Sequence, residues 1–170
     1  MVFTVLLQKA QFPLESQLAS ALHDADFHDA YVTSLHDRRL TPSAIFLKAL
    51  RATPAWVLGA MDMRNAIVRH LGLKDVGAMR ADRRAAEDYR VGDRMGIFNI
   101  FAADDNELLL GIDDSHLDVR VSVLKPRGDA SRYIVSTVVH IHNALGRAYM
   151  LPVARIHPLV VRAMMRAAQA

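Results

Sequence analysis

The chain has 170 residues, 52% of them hydrophobic, with 21 Lys and Arg against 18 Asp and Glu and no cysteine. That length and apolar content suffice for one domain, residues 1–170, burying roughly 70% of its unfolded surface. The missing cysteines exclude disulfides, thiolate chemistry and finger-type zinc sites, and a net charge of +3 with no basic, aromatic-bearing face argues against nucleic acid as a partner.

Residues 1–7 are apolar but short and lack a basic leader, so no signal peptide is expected. No uncharged apolar run approaches the roughly 18–20 residues of a membrane span. The expectation is a soluble, cytoplasmic protein. Leu14, Leu18, Ala21 and Leu22 recur at helical spacing and predict a short helix over 14–25. Residues 25–35 then lead into a first strand. Thr41-Pro42 and Thr53-Pro54 each read as a helix start, because threonine caps free amides and proline suits the first helical position. Two helices follow, at 42–52 and 54–71, the second closed by Gly72. On the second, Trp56, Ala60, Met63, Ile67 and Leu71 form a stripe flanked by Val57, Met61 and Val68, with Asp62, Asn65 and Arg69 opposite. Arg64 falls inside the apolar arc, where it must snorkel or meet a carboxylate.

The stretch Arg80–Arg90 mixes acids with its arginines and reads as a solvated connection. Turn signals at 92–93, 104–106, 113–114 and 125–129 then separate four apolar segments, 95–103, 107–112, 116–124 and 132–142, which read as an antiparallel meander. Burial of the apolar faces selects a register that pairs odd positions with odd. His116, Asp118 and Arg120 are then expected on one face with His140 and His142. From 145 to 168 the apolar period changes from two to about 3.6, the mark of a long terminal helix. Tyr149, Val153, Ile156, Val160, Met164 and Ala167 make its stripe, with Arg155, Arg162 and Arg166 opposite. Pro152 and Pro158 predict a kink or break in it.

This order of elements resembles the helix-grip arrangement of the START and polyketide-cyclase (SRPBCC) superfamily. The expected fold class is therefore α+β: a curved antiparallel sheet wrapped around a long C-terminal helix, with two short helices after the first strand. Five pieces resemble, more narrowly, the bacterial family called domain of unknown function 2867. They are Asp26-Phe-His-Asp-Ala-Tyr31, Pro54-Ala-Trp56, Met63-Arg64-Asn65 with Leu71-Gly72-Leu73, Gly111-Ile-Asp-Asp-Ser-His-Leu-Asp118, and His142-Asn143 through Gly146-Arg147-Ala-Tyr149 to His157. The resemblance implies a fold that elsewhere binds hydrophobic molecules and carries over no catalytic residue.

The function expected is binding of a small hydrophobic or amphipathic molecule between sheet and terminal helix. Candidate contacts are Trp56, Met63, Arg64, Phe98, Phe101, Asp113, Tyr149, Val153, His157 and Met164, combining adaptable apolar groups with a few polar ones. Arg64 is expected to meet Asp113, Asp114 or Asp118, as a structural ion pair or as an anchor for a polar head. An alternative is a cyclase- or isomerase-type enzyme that moves protons with His157 and an acid from 113–118. Another is a non-catalytic module, a homodimer, using the polar strip. His116, His140, His142 and Asp118 have the atoms for a metal, but the strip reads as solvent-facing, so neither metal nor cofactor is expected. Phosphate-cradling glycine loops, a Gly-x-Ser-x-Gly elbow and His-Glu-x-x-His are all missing.

Overall fold

Residues 6–70, 77, 79 and 81–169 are described by the structure, a computed structural model. Among them, seven strands make one antiparallel sheet: β1 (Gln8–Lys9), β2 (Phe27–Ser34), β3 (Arg94–Met95), β4 (Phe98–Ala103), β5 (Glu107–Asp113), β6 (Leu117–Leu124) and β7 (Arg132–Ile141). Their spatial order is β1-β2-β7-β6-β5-β4-β3. Between β2 and β3 the chain forms α1 (Pro42–Arg51) and α2 (Ala55–His70), and after β7 it forms α3 (Ala144–Ala167). This is the expected helix-grip-like α+β architecture. The two-residue strand β1 lies outside the sequence reading, the segment expected at 95–103 divides into β3 and β4, and the helix expected at 14–25 is a 3-10 turn over Gln17–Leu22.

The pairing agrees with the odd-with-odd register: Leu117 faces Ile141, Val119 faces Val139 and Val121 faces Thr137. The odd face of β6 and β7, which takes the even positions of β5 because Leu108 pairs with Val123 and Leu110 with Val121, carries the main core against α1, α2 and the second half of α3. There Val57, Met95, Leu108, Leu110 and Val123 lose nearly all solvent contact, each worth about 1.5–3 kcal/mol. Phe46 of α1 meets Phe98 of β4 edge to face at 5.9 Å. A separate apolar cluster, Leu117, Val139 and Met150, lies under the first half of α3. The even face is covered by the amino-terminal segment, with Ala10 and Phe12 on Ala30, Val32, Leu124 and Ile134. Glu107 is buried on that side, where its carboxylate accepts from Ser16 Oγ, Ser122 Oγ and the amide of Gln17. A buried charge needs such donors.

Thr41 caps α1 as expected, its Oγ1 accepting from the Ala44 amide at 3.2 Å. Thr53 does not cap α2. Its hydroxyl turns back to the carbonyls of Ala49 and Leu50 and satisfies the end of α1 instead. The closure expected at Gly72, like Leu71 and Leu73, lies outside the described residues. Despite Pro152 and Pro158, α3 runs unbroken for 24 residues. Each proline removes only its own amide donor, and the packed helix on either side holds the rest.

Candidate functional site

The loop before β6 sets the rotation of α3. Asn143 caps the helix, its Oδ1 accepting from the Gly146 amide at 3.0 Å while its Nδ2 donates to the Ser115 carbonyl at 3.0 Å. A Cβ on Gly146 would sit 2.2 Å from the His116 carbonyl oxygen. The helix is thus pressed onto the loop backbone where only glycine fits. The residues brought inward are Gly146, Met150, Val153, His157, Met164 and Ala168, a line rotated by about 60° from the predicted stripe at 100° per residue. Ile156, expected inside, is 47% exposed. Arg162, expected outside, has its Nε buried. His157, at the edge of the predicted stripe, moves to the middle of the inward line.

Beneath it lies a polar seam between the two apolar clusters. Asp29 and Thr137 are directly paired across β2 and β7 and point at α3. His157 Nε2 lies 3.1 Å from Thr137 Oγ1 and 3.4 Å from Asp29 Oδ1. Phe27 meets the imidazole edge to face at 5.6 Å. Asp29 is 5% exposed, and its carboxylate is approached by His157 and by the Tyr31 hydroxyl. Its neighbour Tyr31 is pushed above the ordinary phenol value by burial and then by the Asp29 charge, with Arg162 opposing. Tyr31 therefore stays protonated beside the carboxylate. The Asp29 side chain is sealed, whereas that of His157 keeps 21% of its surface.

A second seam lies at the amino-terminal end of α3. His116 is 1% exposed, its Nδ1 3.3 Å from Asp114 Oδ2 and its ring edge-on to Tyr149 at 5.3 Å. Arg64 Nε donates to the Tyr149 hydroxyl at 3.0 Å, and its Nη1 donates to Asn65 Oδ1 at 2.9 Å. Asn65 in turn donates to the Gly77 carbonyl at 3.0 Å. Arg64 thus meets a phenol and an amide rather than the expected acid. The acids of 113–118 are engaged elsewhere: Asp113 with Arg120 at 2.5 Å, Asp114 with His116, and Asp118 with His142 at 3.1 Å. His116 also leaves the face it was expected to share with His140 and His142, because β6 begins only at Leu117.

Between the seams the concave face is incompletely covered. Ile112 and Val119, paired across β5 and β6, and Val153 of α3 are only half-buried, although inward positions of central strands are ordinarily sealed. Val119 touches both apolar clusters. Val119 and Val153 pack on the same cluster as Tyr149 and with Ile112 make up an apolar strip, Val153 standing between Tyr149 and His157 on α3; two open depressions lie elsewhere, on the opposite face and between α1 and residues 85–87. Tyr149 and His157 are eight positions apart, about 12 Å along a helix.

The remaining candidates are placed otherwise. Trp56 and Met63 are 51% and 64% exposed, so these two residues of the predicted stripe face outward. Val57, Met61 and Asn65 face inward instead. Both sides of α2 are apolar enough to be buried, so periodicity alone does not choose between them. Phe98 and Met164 belong to the main core. Phe101 is exposed under the guanidinium of Arg120, 4.3 Å from its centroid. On the even face, an open depression is bordered by Asp24, Asp26, Asp118, His140 and His142. His140 Nε2 lies 3.1 Å from both Asp24 and the Ala21 carbonyl. Among the described residues no three His, Asp or Glu side chains are arranged to hold a metal ion, and no single helix is long and apolar enough to cross a membrane.

Sequence reasoning assigned none of Asp29, Tyr31, Thr137 and Asn65 to a site, although Asp29, Tyr31 and Asn65 stand in the pieces that carry the family resemblance. The signal for Asp29 is its phase: in 27–33 it alternates with Phe27, Tyr31 and Thr33, which places a carboxylate on the inward side of a strand.

A curved antiparallel sheet, a gripping terminal helix and an incompletely covered concave face define a helix-grip-like α+β domain. The chain belongs to the family described as "Protein of unknown function (DUF2867)", whose model matches residues 21–164. No curated protein and no solved structure matches the chain.

Proposed function

We propose that the protein binds a small amphipathic molecule on the concave face, its apolar body along Ile112, Val119 and Val153 and its polar ends at Arg64–Tyr149 and at His157. The observation that carries this reading is the half-buried strip itself, since apolar floor between convergent polar groups is the usual composition of a ligand site. The ligand contacts that remain from the sequence reading are Arg64, Tyr149, Val153 and His157.

Native mass spectrometry of freshly purified protein tests the reading, with the anionic amphiphile 1-anilinonaphthalene-8-sulfonate as a displaceable probe. Retained small-molecule mass, or saturable probe fluorescence that Val119→Trp weakens by about tenfold, some 1.4 kcal/mol, is the expected result. A bare mass together with no saturable probe binding refutes it. The exposed Trp56 and Met63 favour a second reading, self-association through α2. Sedimentation at micromolar concentration would then show a dimer that Trp56→Ala dissociates.

A further inference from the structure

Asp29 and His157 are placed so that the imidazole has one nitrogen held and one nitrogen left over. Nε2 faces the carboxylate at 3.4 Å and the Thr137 hydroxyl at 3.1 Å. An ionised carboxylate only accepts, so the proton of the neutral ring belongs on Nε2 and Nδ1 carries the lone pair. The acid is sealed within the sheet while the imidazole side chain keeps 21% of its surface, so the base is reachable and its orienting partner is not. Phe27 packs edge-on against the ring and limits its rotation. Tyr31, protonated beside Asp29, and Arg162, whose buried Nε has no hydrogen bond, are the other titratable or charged groups at the seam.

We propose that Asp29 and His157 form a general-base dyad in which His157 Nδ1 removes a proton from a carbon acid, the C–H beside an electron-withdrawing group of an amphipathic molecule in the strip. The proposal rests on the binding reading above. His157 is the catalytic residue, and Asp29 is a positioning residue that fixes the tautomer and stabilises the imidazolium. In the step, the C–H bond breaks, its electron pair moves toward the withdrawing group, and a new N–H bond forms at Nδ1. Return of that proton to a different atom of the same molecule completes an isomerisation with no further reactant. The acids of 113–118 take no part, being paired with Arg120, His116 and His142.

The test uses 5-nitrobenzisoxazole, a compact aromatic carbon acid. Removal of its ring C–H proton opens the N–O bond, and the nitrile-bearing nitrophenolate that leaves is followed by absorbance. The wild-type chain is expected to exceed the same concentration of imidazole by about 100-fold, within the usual range for a positioned general base. His157→Gln should fall to the imidazole rate, Asp29→Asn about tenfold, and the exposed control His36→Gln not at all. In parallel, 15N spectra of the imidazoles should show His157 protonated at Nε2 in the wild type and as a tautomer mixture in Asp29→Asn, a change that lost packing alone would not produce. A wild-type rate no better than imidazole, an unchanged rate in His157→Gln, or a proton found on Nδ1 overturns the dyad. If probe binding persists in that event, the binding reading stands without it; if probe binding is also absent, both fall.

Discussion

Two aspartate–histidine pairs lie along α3 at nearly the same separation, 3.3 Å for Asp114–His116 and 3.4 Å for Asp29–His157. Their surroundings differ. His116 is enclosed on every side, with its own carbonyl pressed by Gly146 and accepting from the His142 amide. His157 stays partly open over a strip of half-buried valine and isoleucine. The same pair of side chains therefore pins backbone in one place and presents a base in the other. Solvent access, not residue type, separates the two roles.

The sharpest way to break the sealed half is Gly146→Ala. The added carbon would meet a backbone oxygen that cannot yield without moving the loop, so a loss of more than about 3 kcal/mol in urea unfolding is expected, and near-neutral behaviour would show that helix and loop are not locked. His116→Ala should cost about 2–3 kcal/mol, because it opens a cavity and leaves the buried Asp114 carboxyl without its ring partner. Urea midpoints compared at constant m-value would measure it. At the open pair, His157→Gln should change stability by less than about 1 kcal/mol, since the amide still reaches Thr137, while probe binding weakens. A stability loss as large as that of His116→Ala would erase the distinction.

The smallest effect belongs to a clasp away from both pairs. Asp82 accepts from the Tyr89 hydroxyl and pairs with Arg84, which lower its pKa from 3.8 to about 2. A carboxyl depressed on folding adds stability that is fully present above its unfolded value and is lost as pH falls through the folded one. Thermal midpoints should therefore decline between about pH 4 and pH 2 in part through Asp82, and Asp82→Asn should flatten that limb slightly.

Most of the fold was legible because its strands alternate cleanly and its turns carry the residues that turns require. Thr41-Pro42 was read correctly for the same local reason. What was not legible was the rotation of helices. Apolar residues lie on two sides of α2, and the side that wins includes Asn65, whose amide reaches the Gly77 carbonyl. For α3 the deciding contact is between Gly146 and the His116 carbonyl, which no periodicity encodes. That rotation carries His157 onto Asp29, so the candidate site could be half named, by Arg64, Tyr149, Val153 and His157, but not assembled. The buried Glu107 was hidden similarly, since its three donors come from segments far apart in the chain.

The central claim is that the uncovered part of the concave face receives a guest. Methyl-resolved NMR during titration with 1-anilinonaphthalene-8-sulfonate tests it most directly. The prediction is saturating shifts at Ile112, Val119 and Val153, with Leu151 and Leu159 on the outer side of α3 unmoved. Shifts confined to those outer leucines and to Trp56, with the three inner methyl groups silent, would contradict the account.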